Sequence, residues 1–360
     1  MNIQALSEFV LLRVILATFG IAVFGIVFGL LYKGIDRKIA AHMQGRIGPP
    51  IIQPFRDVRK LFTKENIVPE NAIPWLFNLV PLLGLAATIS ILLYLPLGGF
   101  QPILSQNGDL ILILYLLIIP SLAMVIGGFS SGSPYAIVGA QREMATMIAY
   151  EFPLAIIIVS LATRLIQSGS ESVFALSTIT SIPVWTVVGP LGFIGLIILL
   201  LVLVIVTPAE LSKIPFDSPE AETEIAGGLL TEYSGRNLAM FYLTDGVKTV
   251  VMASLIVALF FPLNLTQIGL FESLAGTIPG FAIDIIFYLL KIFLVVLFSV
   301  TLVRVAIARL KIDQIVYTYW IPLTLIGLVG LICLMWDPTT LIPASSNGLG
   351  WPTMLEFLGL

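Results

Sequence analysis

Long apolar stretches alternate with short polar segments along the whole chain. A helix that crosses a bilayer needs about 20 mostly apolar residues, and eight stretches meet this length. The pattern therefore predicts an all-α integral membrane protein, a single membrane domain over residues 1–360 with about eight transmembrane helices. These helices are predicted near residues 10–32, 75–96, 110–128, 144–166, 187–208, 239–262, 281–303 and 318–336.

Two segments fit this pattern less simply. The fourth stretch is interrupted by Glu151 and Arg164, which makes it the least apolar of the eight. Residues 340–360 contain Pro343, Gly348 and Pro352. Because proline and glycine interrupt helices, this last stretch is predicted to be a tail rather than a ninth span.

Composition supports the bilayer as the solvent of this chain. Hydrophobic residues make up 58% and charged residues 11%, whereas a soluble domain has about 25% charged residues. One cysteine, Cys333, and one histidine, His42, are too few for an iron–sulfur cluster, a zinc site or a disulfide bond. We therefore expect no metal ligands and no bound cofactor in this chain, and redox centres only in partner subunits. The net charge of −3 does not indicate nucleic-acid binding.

Basic residues are concentrated in alternate connections between the predicted spans. If the N-terminus lies outside, the inner connections are residues 33–74, 129–143, 209–238 and 304–317. On the opposite side, Arg164 is then the only basic residue. The positive-inside rule then predicts a multi-pass protein of the cytoplasmic membrane with both termini outside. The inner connections hold 14 of the 18 lysines and arginines: Lys33, Arg37, Lys38, Arg46, Arg56, Arg59, Lys60, Lys64, Arg142, Lys213, Arg236, Arg304, Arg309 and Lys311.

The first inner connection contains an amphipathic segment. Ile51, Phe55, Val58 and Phe62 recur at helical spacing, with basic residues between them. This spacing predicts an interfacial helix whose apolar face lies in the lipid or beneath a partner. A plain surface anchor and a cavity-forming or partner-docking helix are both compatible with the pattern.

The third inner connection is strongly acidic and lies between two apolar spans. A solvated acidic loop would explain it, but its prolines and the apolar stretch 225–230 are unlike a loose polar linker. Carboxylates crowded near a low-dielectric region raise one another's pKa, so some could exchange protons near neutral pH. The six carboxylates are Glu210, Asp217, Glu220, Glu222, Glu224 and Glu232.

Further ionisable residues lie in or beside the spans. Glu143 and Glu151 are eight residues apart, so both can face one side of a helix. Asp245 and Lys248 occur early in the sixth span, and Lys291 lies in the seventh with Asp284 seven residues before it. Such groups mark an ion path or a buried pair, or reach back to the membrane surface.

Several motifs resemble the signature segments of the NuoH-type subunit of complex I, and the resemblance covers nearly the whole chain. The proline–phenylalanine–aspartate loop followed by Glu-Tyr-Ser-Gly is the most specific part. The matching segments are Arg46-Ile-Gly-Pro, Gln53-Pro-x-x-Asp57, Tyr150-Glu151, Pro215-Phe-Asp-x-Pro-Glu-Ala-Glu222 and Glu232-Tyr-Ser-Gly235.

Other segments resemble the branch of this family found in membrane-bound NiFe hydrogenases and ferredoxin-linked complexes. In this chain Pro50 and Ile51-Ile52 lead directly to Gln53, whereas members serving complex I carry additional residues there. The hydrogenase-like segments are Arg142-Glu-Met-Ala-Thr-Met, Glu222-Thr-Glu224 and Gly227-Gly-Leu-Leu-Thr-Glu232.

The resemblance implies a membrane anchor beneath a NiFe-type large subunit and iron–sulfur subunits, next to antiporter-like membrane subunits. The NiFe centre and the iron–sulfur clusters would belong to those partners. Peripheral-arm contacts would involve Arg46, Gln53, Asp57, Arg142, Tyr233 and Arg236. An ion path would involve Glu143, Glu151, Glu210, Asp217, Glu220, Glu222, Glu224, Glu232 and Asp245.

The function expected from these features is coupling of ferredoxin-dependent redox chemistry to H⁺ or Na⁺ translocation. A related complex that reduces a quinone, a phenazine or a sulfur compound is the alternative. A stand-alone ion-coupled transporter is a third hypothesis, although no inverted repeat of the transporter kind is visible. A passive scaffold for the peripheral arm is a fourth.

Overall fold

A computed structural model describes residues 3–105, 107–167, 172–267 and 277–337, with side chains from Arg13 onward and without that of Gln167. Within these ranges, eight helices are long and apolar enough to cross a membrane, which confirms the predicted all-α membrane fold. The predicted tail at 340–360 lies outside the described residues. The eight spans are Arg13–Met43, Pro74–Tyr94, Asp109–Ser130, Pro134–Ile166, Pro190–Glu210, Gly235–Phe260, Ile278–Ala306 and Ile312–Met335.

The first half of the described chain forms four spans and two short surface helices. The helices are α1 Ile3–Met43, α2 Gln53–Thr63, α3 Pro74–Tyr94, α4 Asp109–Ser130, α5 Pro134–Gln167 and α6 Leu176–Ser181.

The second half contains the remaining spans and the helical turns of the central loop. The helices are α7 Pro190–Glu210, α8 Glu222–Ile225, α9 Gly235–Phe260, α10 Ile278–Val296, α11 Leu302–Ala306, α12 Ile312–Thr318 and α13 Thr324–Met335. A π-turn at Leu297–Thr301 joins α10 to α11, and another at Tyr319–Leu323 joins α12 to α13.

Two spans extend further than the apolar pattern predicted. Helix α1 continues to Met43, and α5 begins at Pro134. Lys33, Arg37 and Arg142 therefore lie on helices, and the predicted inner connections are shorter. Polar residues are accommodated there because they have partners; Lys33, for example, pairs with Asp245.

Helix α9 is the centre of the bundle. In its most apolar window 94% of the residues are buried, against 17% in α1, so α9 is surrounded by protein and α1 is peripheral. Helix α1 still approaches α9 closely at Gly29, where an added Cβ would lie 2.5 Å from the carbonyl oxygen of Gly246. Small residues permit such close helix packing in membranes.

Helix α2 confirms the amphipathic segment of the first inner connection. Val58 is buried against Leu30 of α1 and Leu243 of α9, and Phe55 packs beside them. Phe62 remains exposed. The apolar face therefore packs partly against the chain's own spans, which favours a structural role over simple surface anchoring.

The central loop, residues 211–234, folds back against α4 and α5. Leu229 packs on Val125 and Ala140. The loop reverses direction at Gly228, which has φ +53° and would place a Cβ 2.1 Å from the carbonyl oxygen of Pro219. Only glycine avoids both the backbone strain and the overlap.

The connections meet on two sides of the bundle. On the charged side, the Leu310 N–H donates to Pro215 O, and the Ile73 N–H donates to Ser130 O. On the opposite side, Trp185 donates to Phe260 O, and the Gly189 N–H donates to Asp337. Arg164, the basic residue predicted on that side, is buried near the end of α5 and interacts electrostatically with Asp337.

Candidate functional site

The first element of the site is a carboxylate held by two lysines from distant parts of the chain. Asp245 of α9 accepts hydrogen bonds from Lys33 of α1 at 2.5 Å and from Lys213 of the central loop at 2.6 and 2.7 Å. Lys33 also lies over the ring of Tyr242, 3.2 Å from its centroid. Asp245 therefore joins α1, α9 and the central loop through charge-assisted bonds.

One turn further along α9, a second ion pair is fully buried. Lys248 Nζ lies 2.8 Å from Glu210 Oε1 at the end of α7, and the two side chains are 4% and 2% exposed. Lys248 also donates to Ser121 at 2.9 Å, and Ser121 shares a 3.1 Å hydrogen bond with Tyr150. A polar chain thus crosses α7, α9, α4 and α5 inside the bundle.

Two carboxylates of α5, Glu143 and Glu151, lie near this pair. Neither has a cation at ion-pairing distance among the described residues. Glu143 is 1% exposed, its Oε2 lies 3.5 Å from the Ser212 hydroxyl, and its Oε1 has no hydrogen-bond partner in this part of the chain. Glu151 Oε1 is likewise buried and without a described partner. Both interact electrostatically with Glu210 and Lys248.

Glu220 is the third such carboxylate and lies in the central loop. The pKa of Glu220 is raised to about 7, chiefly by burial and also by the nearby Asp245 charge, while Lys213 and Lys33 oppose the increase. Glu220 can therefore gain or lose a proton near neutral pH. This agrees with the sequence expectation, although burial contributes more to the shift than crowding does.

Three neighbouring cavities connect Glu220, Glu210 and Glu151, whereas Glu143 lines none of the three. The first, about 410 Å³, reaches from Asp36 and Arg309 to Glu220. The second, about 330 Å³, shares Lys33, Lys213 and Glu220 with the first and extends to Glu210. The third, about 210 Å³, has Glu210 at one end and Glu151 and the exposed Tyr115 at the other. The three cavities thus follow one another from the charged side to the outer surface of α4, and the last is lined mainly by apolar residues around its two carboxylates.

Most remaining carboxylates of the central loop have different surroundings. Arg309 holds Asp217 through two hydrogen bonds of 2.8 and 2.5 Å, and this bonding raises the pKa of Arg309. Glu224 pairs with Arg142 at 2.5 Å. Glu222 is exposed and lines the first two cavities, and Glu232 is partly exposed.

Comparison with known proteins identifies the architecture. The family described as NADH dehydrogenase matches residues 16–335. The chain belongs to this family. Its relatives include hydrogenase and NADH–quinone oxidoreductase subunits, so this member of the NADH dehydrogenase subunit 1 family is a membrane subunit of a complex I-related, hydrogenase-type complex.

Two curated relatives match roughly the same share of the chain. Hydrogenase-4 component C of Escherichia coli (strain K12) is 37% identical over 243 residues, covering 66% of this chain and 72% of that protein. A NuoH-type subunit of the NADH–quinone oxidoreductase of Koribacter versatilis (strain Ellin345) is 31% identical over 258 residues, covering 68% and 59%. The match thus spans less than two thirds of the second relative.

A solved structure has a similar fold. It is a chain of the membrane-bound sulfane sulfur reductase, described as an archaeal respiratory membrane complex. The TM-score is 0.75 with 29% sequence identity, and the match covers 89% of this chain and 99% of that chain. This family member is therefore a multi-pass subunit of a respiratory membrane complex.

The residues expected to contact a peripheral arm do not form one exposed surface in this family member. Arg46 and Arg236 are exposed. Gln53 and Asp57 are partly buried and bond to each other at 2.8 Å, and Arg37 lies 3.4 Å from Asp57. Arg142 of α5 donates to Ser218 O and to the Glu224 carboxylate, both in the central loop. The contact role stays a prediction for the exposed residues.

Tyr233 was placed incorrectly by the sequence reasoning. It is 4% exposed and stacks on Phe77 with ring centroids 4.1 Å apart, while Phe241 packs edge-on against it. Burial raises the pKa of Tyr233 to about 12. Tyr233 therefore anchors the end of the central loop in the core instead of presenting its side chain to a partner.

Sequence reasoning did not assign several residues of the site. Lys33 and Lys213 were counted only among the basic residues that set the orientation, although Lys213 lies among the acidic residues of the loop. Lys248 was noted, but without its partner Glu210. Ser121 gave no signal, because it stands alone in an apolar stretch, and Tyr150 was noted only as part of the Tyr150-Glu151 segment, without its bond to Ser121.

Proposed function

We propose that this chain is the membrane-anchor and coupling subunit of a hydrogenase-type complex, linking ferredoxin-dependent redox chemistry to H⁺ or Na⁺ translocation. The NiFe centre and iron–sulfur clusters would belong to partner subunits above the charged side, and antiporter-like subunits would lie laterally. The charged side would face the cytoplasm, with the N-terminus outside.

The observation that carries the proposal is the order of groups along the cavities. Glu220 and Glu151 have no cation at ion-pairing distance among the described residues, and along the cavities they lie on either side of two lysine-paired carboxylates, Asp245 and Glu210. Glu143 has no such cation either and interacts with Glu210 and Lys248, although it lines none of the three cavities. A carboxylate without a fixed counter-charge can change protonation, and a paired one keeps its charge. The row therefore combines exchangeable and fixed charges, as an ion path requires.

The path would begin at the central loop. Glu220 has a pKa of about 7 and stands between the first two cavities. A change of charge or shape in the peripheral arm would act on this loop, and Glu220 would respond by taking up or releasing a proton. The change would pass through the Lys248–Glu210 pair to Glu143 and Glu151, and from Glu151 to a neighbouring subunit beside Tyr115.

The test replaces Glu220, Glu143 or Glu151 by glutamine in the whole complex, reconstituted in vesicles. Redox turnover and ion transport are measured together, and co-purification of partner subunits reports assembly. We expect ion transport per electron to fall while turnover and assembly persist. The matched control is Glu70→Gln, because Glu70 is exposed and lies outside the cavities. Full ion transport in all three variants would contradict the proposal and favour a passive scaffold.

The identity of the ion is open to a direct measurement. If H⁺ is transported, a protonophore abolishes the gradient and sodium omission has no effect. If Na⁺ is transported, ²²Na⁺ accumulates in the vesicles and the protonophore does not prevent it.

A second candidate is a subunit of a sulfur-reducing complex. The near-complete match to a chain of the sulfane sulfur reductase favours it. The purified complex, supplied with reduced ferredoxin, would then reduce a sulfane sulfur compound and release no hydrogen. Hydrogen release would instead support the leading proposal. Reduction of a quinone or a phenazine would contradict both.

A further inference from the structure

A separate feature lies on the opposite side of the bundle, between α7, α9 and α10. It is an almost entirely apolar groove of about 630 Å³. Its walls include Trp185, Leu200, Val204, Phe260, Leu294 and Phe298. None of the carboxylates of the coupling site lines it, so the proposed ion path does not account for it.

Lys291 stands where this groove meets a polar cavity. The polar cavity, about 300 Å³, shares Lys291 and Pro262 with the groove, and its walls include Gln101, Ser177, Thr180, Ser181, Asn264 and Gln267. An apolar compartment joined to a polar one through a cation is the arrangement that an amphiphile requires. Small-molecule sites have volumes of about 300–1,000 Å³. The groove lies within this range, and the polar cavity lies at its lower limit.

The ammonium group of Lys291 is held by backbone carbonyls, and no described carboxylate contacts it. It donates to Phe261 O at 2.9 Å and Leu263 O at 3.0 Å, just beyond the C-terminus of α9. A lysine ammonium has three donors, so one remains for a ligand. Within the described ranges no carboxylate lies within ion-pairing distance of it; Asp284 acts on it at longer range, and its oxygens bond to Thr266.

The groove is long enough for much of one hydrocarbon chain. Lys291, Leu294 and Phe298 follow one face of α10 and of the π-turn after it along the groove. The seven-residue step from Lys291 to Phe298 rises about 10 Å, and half of a hydrocarbon core is about 15 Å. A hydrocarbon chain that starts at Lys291 and lies along this face would therefore follow the protein for about two thirds of a leaflet.

We propose that this groove binds a glycerophospholipid, with its phosphate on Lys291, its headgroup in the polar cavity and one hydrocarbon chain along α10. Charge complementarity favours an anionic headgroup, because the ammonium is the only cation among the described residues that line either cavity. The hydroxyl and amide groups of the polar cavity suit a headgroup that carries hydroxyls. Trp185, at the end of the groove, is the residue type enriched at the membrane surface.

The experiment uses the purified complex, exchanged into nanodiscs with equal phosphatidylglycerol and phosphatidylcholine and then stripped with mild detergent. Mass spectrometry measures the lipid that remains bound. We expect phosphatidylglycerol to be retained about fivefold over phosphatidylcholine, the factor for one lysine beside an anionic lipid. Lys291→Gln keeps donors for the two carbonyls and should abolish this preference.

A pair of variants on α10 tests the groove without altering Lys291. Leu294→Trp fills the groove and should reduce the retained phosphatidylglycerol, whereas Leu290→Trp is the matched control, because Leu290 is similarly exposed and does not line it. Equal retention of the two lipids in the unaltered complex would overturn the proposal. So would a preference that survives both Lys291→Gln and Leu294→Trp, or retention of an isoprenoid quinone in place of the phospholipid.

Discussion

The middle and the C-terminal end of α9 face opposite kinds of cavity. At the middle, Asp245 and Lys248 meet charged partners from three other parts of the chain. Near the end, Ile256 and Phe260 line an apolar groove where Lys291 is the only cation among the described lining residues. The difference shows that buried charges are tolerable at the middle because α1, the end of α7 and the central loop each bring an opposite charge to them.

The largest expected effect on stability comes from replacing Lys248, and Lys291 provides the comparison. Lys248→Met leaves Glu210 buried without its cation and should lower the stability of the complex by about 3–5 kcal/mol. Lys291→Met removes bonds to two carbonyls that are closer to solvent, and should cost about 1 kcal/mol. Thermal unfolding in detergent measures both variants. Equal losses would contradict the contrast between the middle and the C-terminal end of α9.

The contribution of the central loop is tested by Asp217→Asn. Arg309 would lose its carboxylate partner while the size of residue 217 stays the same, so stability should fall by about 1.5–3 kcal/mol, the value of a hydrogen bond to a charged group. Glu222→Gln is the control, because Glu222 is exposed on the same loop and no ion pair holds it among the described residues. A loss no larger than that of the control would mean that this bond does not hold the loop in place.

A smaller effect concerns pH. The folded pKa of Glu220 is about 7, above the usual 4.5, so the folded chain binds more protons than the unfolded chain between these values. The contribution of Glu220 to stability is therefore complete below about pH 4.5 and is lost as the pH rises towards 7. Glu220→Gln should flatten this part of the stability–pH curve, and an infrared carboxylic-acid band titrating near pH 7 should disappear. An unchanged curve and band would exclude Glu220 as the titrating group.

The smallest effect is expected at the apolar end. Trp185→Phe removes the 2.5 Å hydrogen bond to Phe260 O but keeps an aromatic ring, so the loss should be about 1 kcal/mol or less. Redox turnover and ion transport should not change, since Trp185 is on the side opposite the coupling site. A fall in ion transport would show that the middle and the C-terminal end of α9 are functionally linked.

The fold was largely predictable because each span is a long local run of apolar residues. The ends of the spans were less predictable. Lys33 and Arg37 look like loop residues in the sequence, and their place on α1 depends on Asp245 and Asp57, which only the folded chain brings near them.

The site was predictable in its carboxylates but not in its pairing. The central loop stands out by composition, and Glu151 and Asp245 stand out as charges in apolar spans. The partner of Asp245, however, is 212 residues away at Lys33, and such distances leave no local pattern. Tyr233 was misplaced for a related reason: it lies between charged residues in the sequence, while its ring packs on Phe77 from α3.

The number of residues in the π-turn at Leu297–Thr301 sets the orientation of the helix that follows it. Such a turn contains one residue more than a regular α-helical turn, and one residue rotates the following helix by about 100°. Thr301 at the end of the turn and Arg304 just beyond it donate hydrogen bonds to Asp36 at 2.7 and 3.0 Å. A single-residue deletion here would turn both side chains away from Asp36 without changing either of them, so this segment should tolerate substitution better than any change in its number of residues.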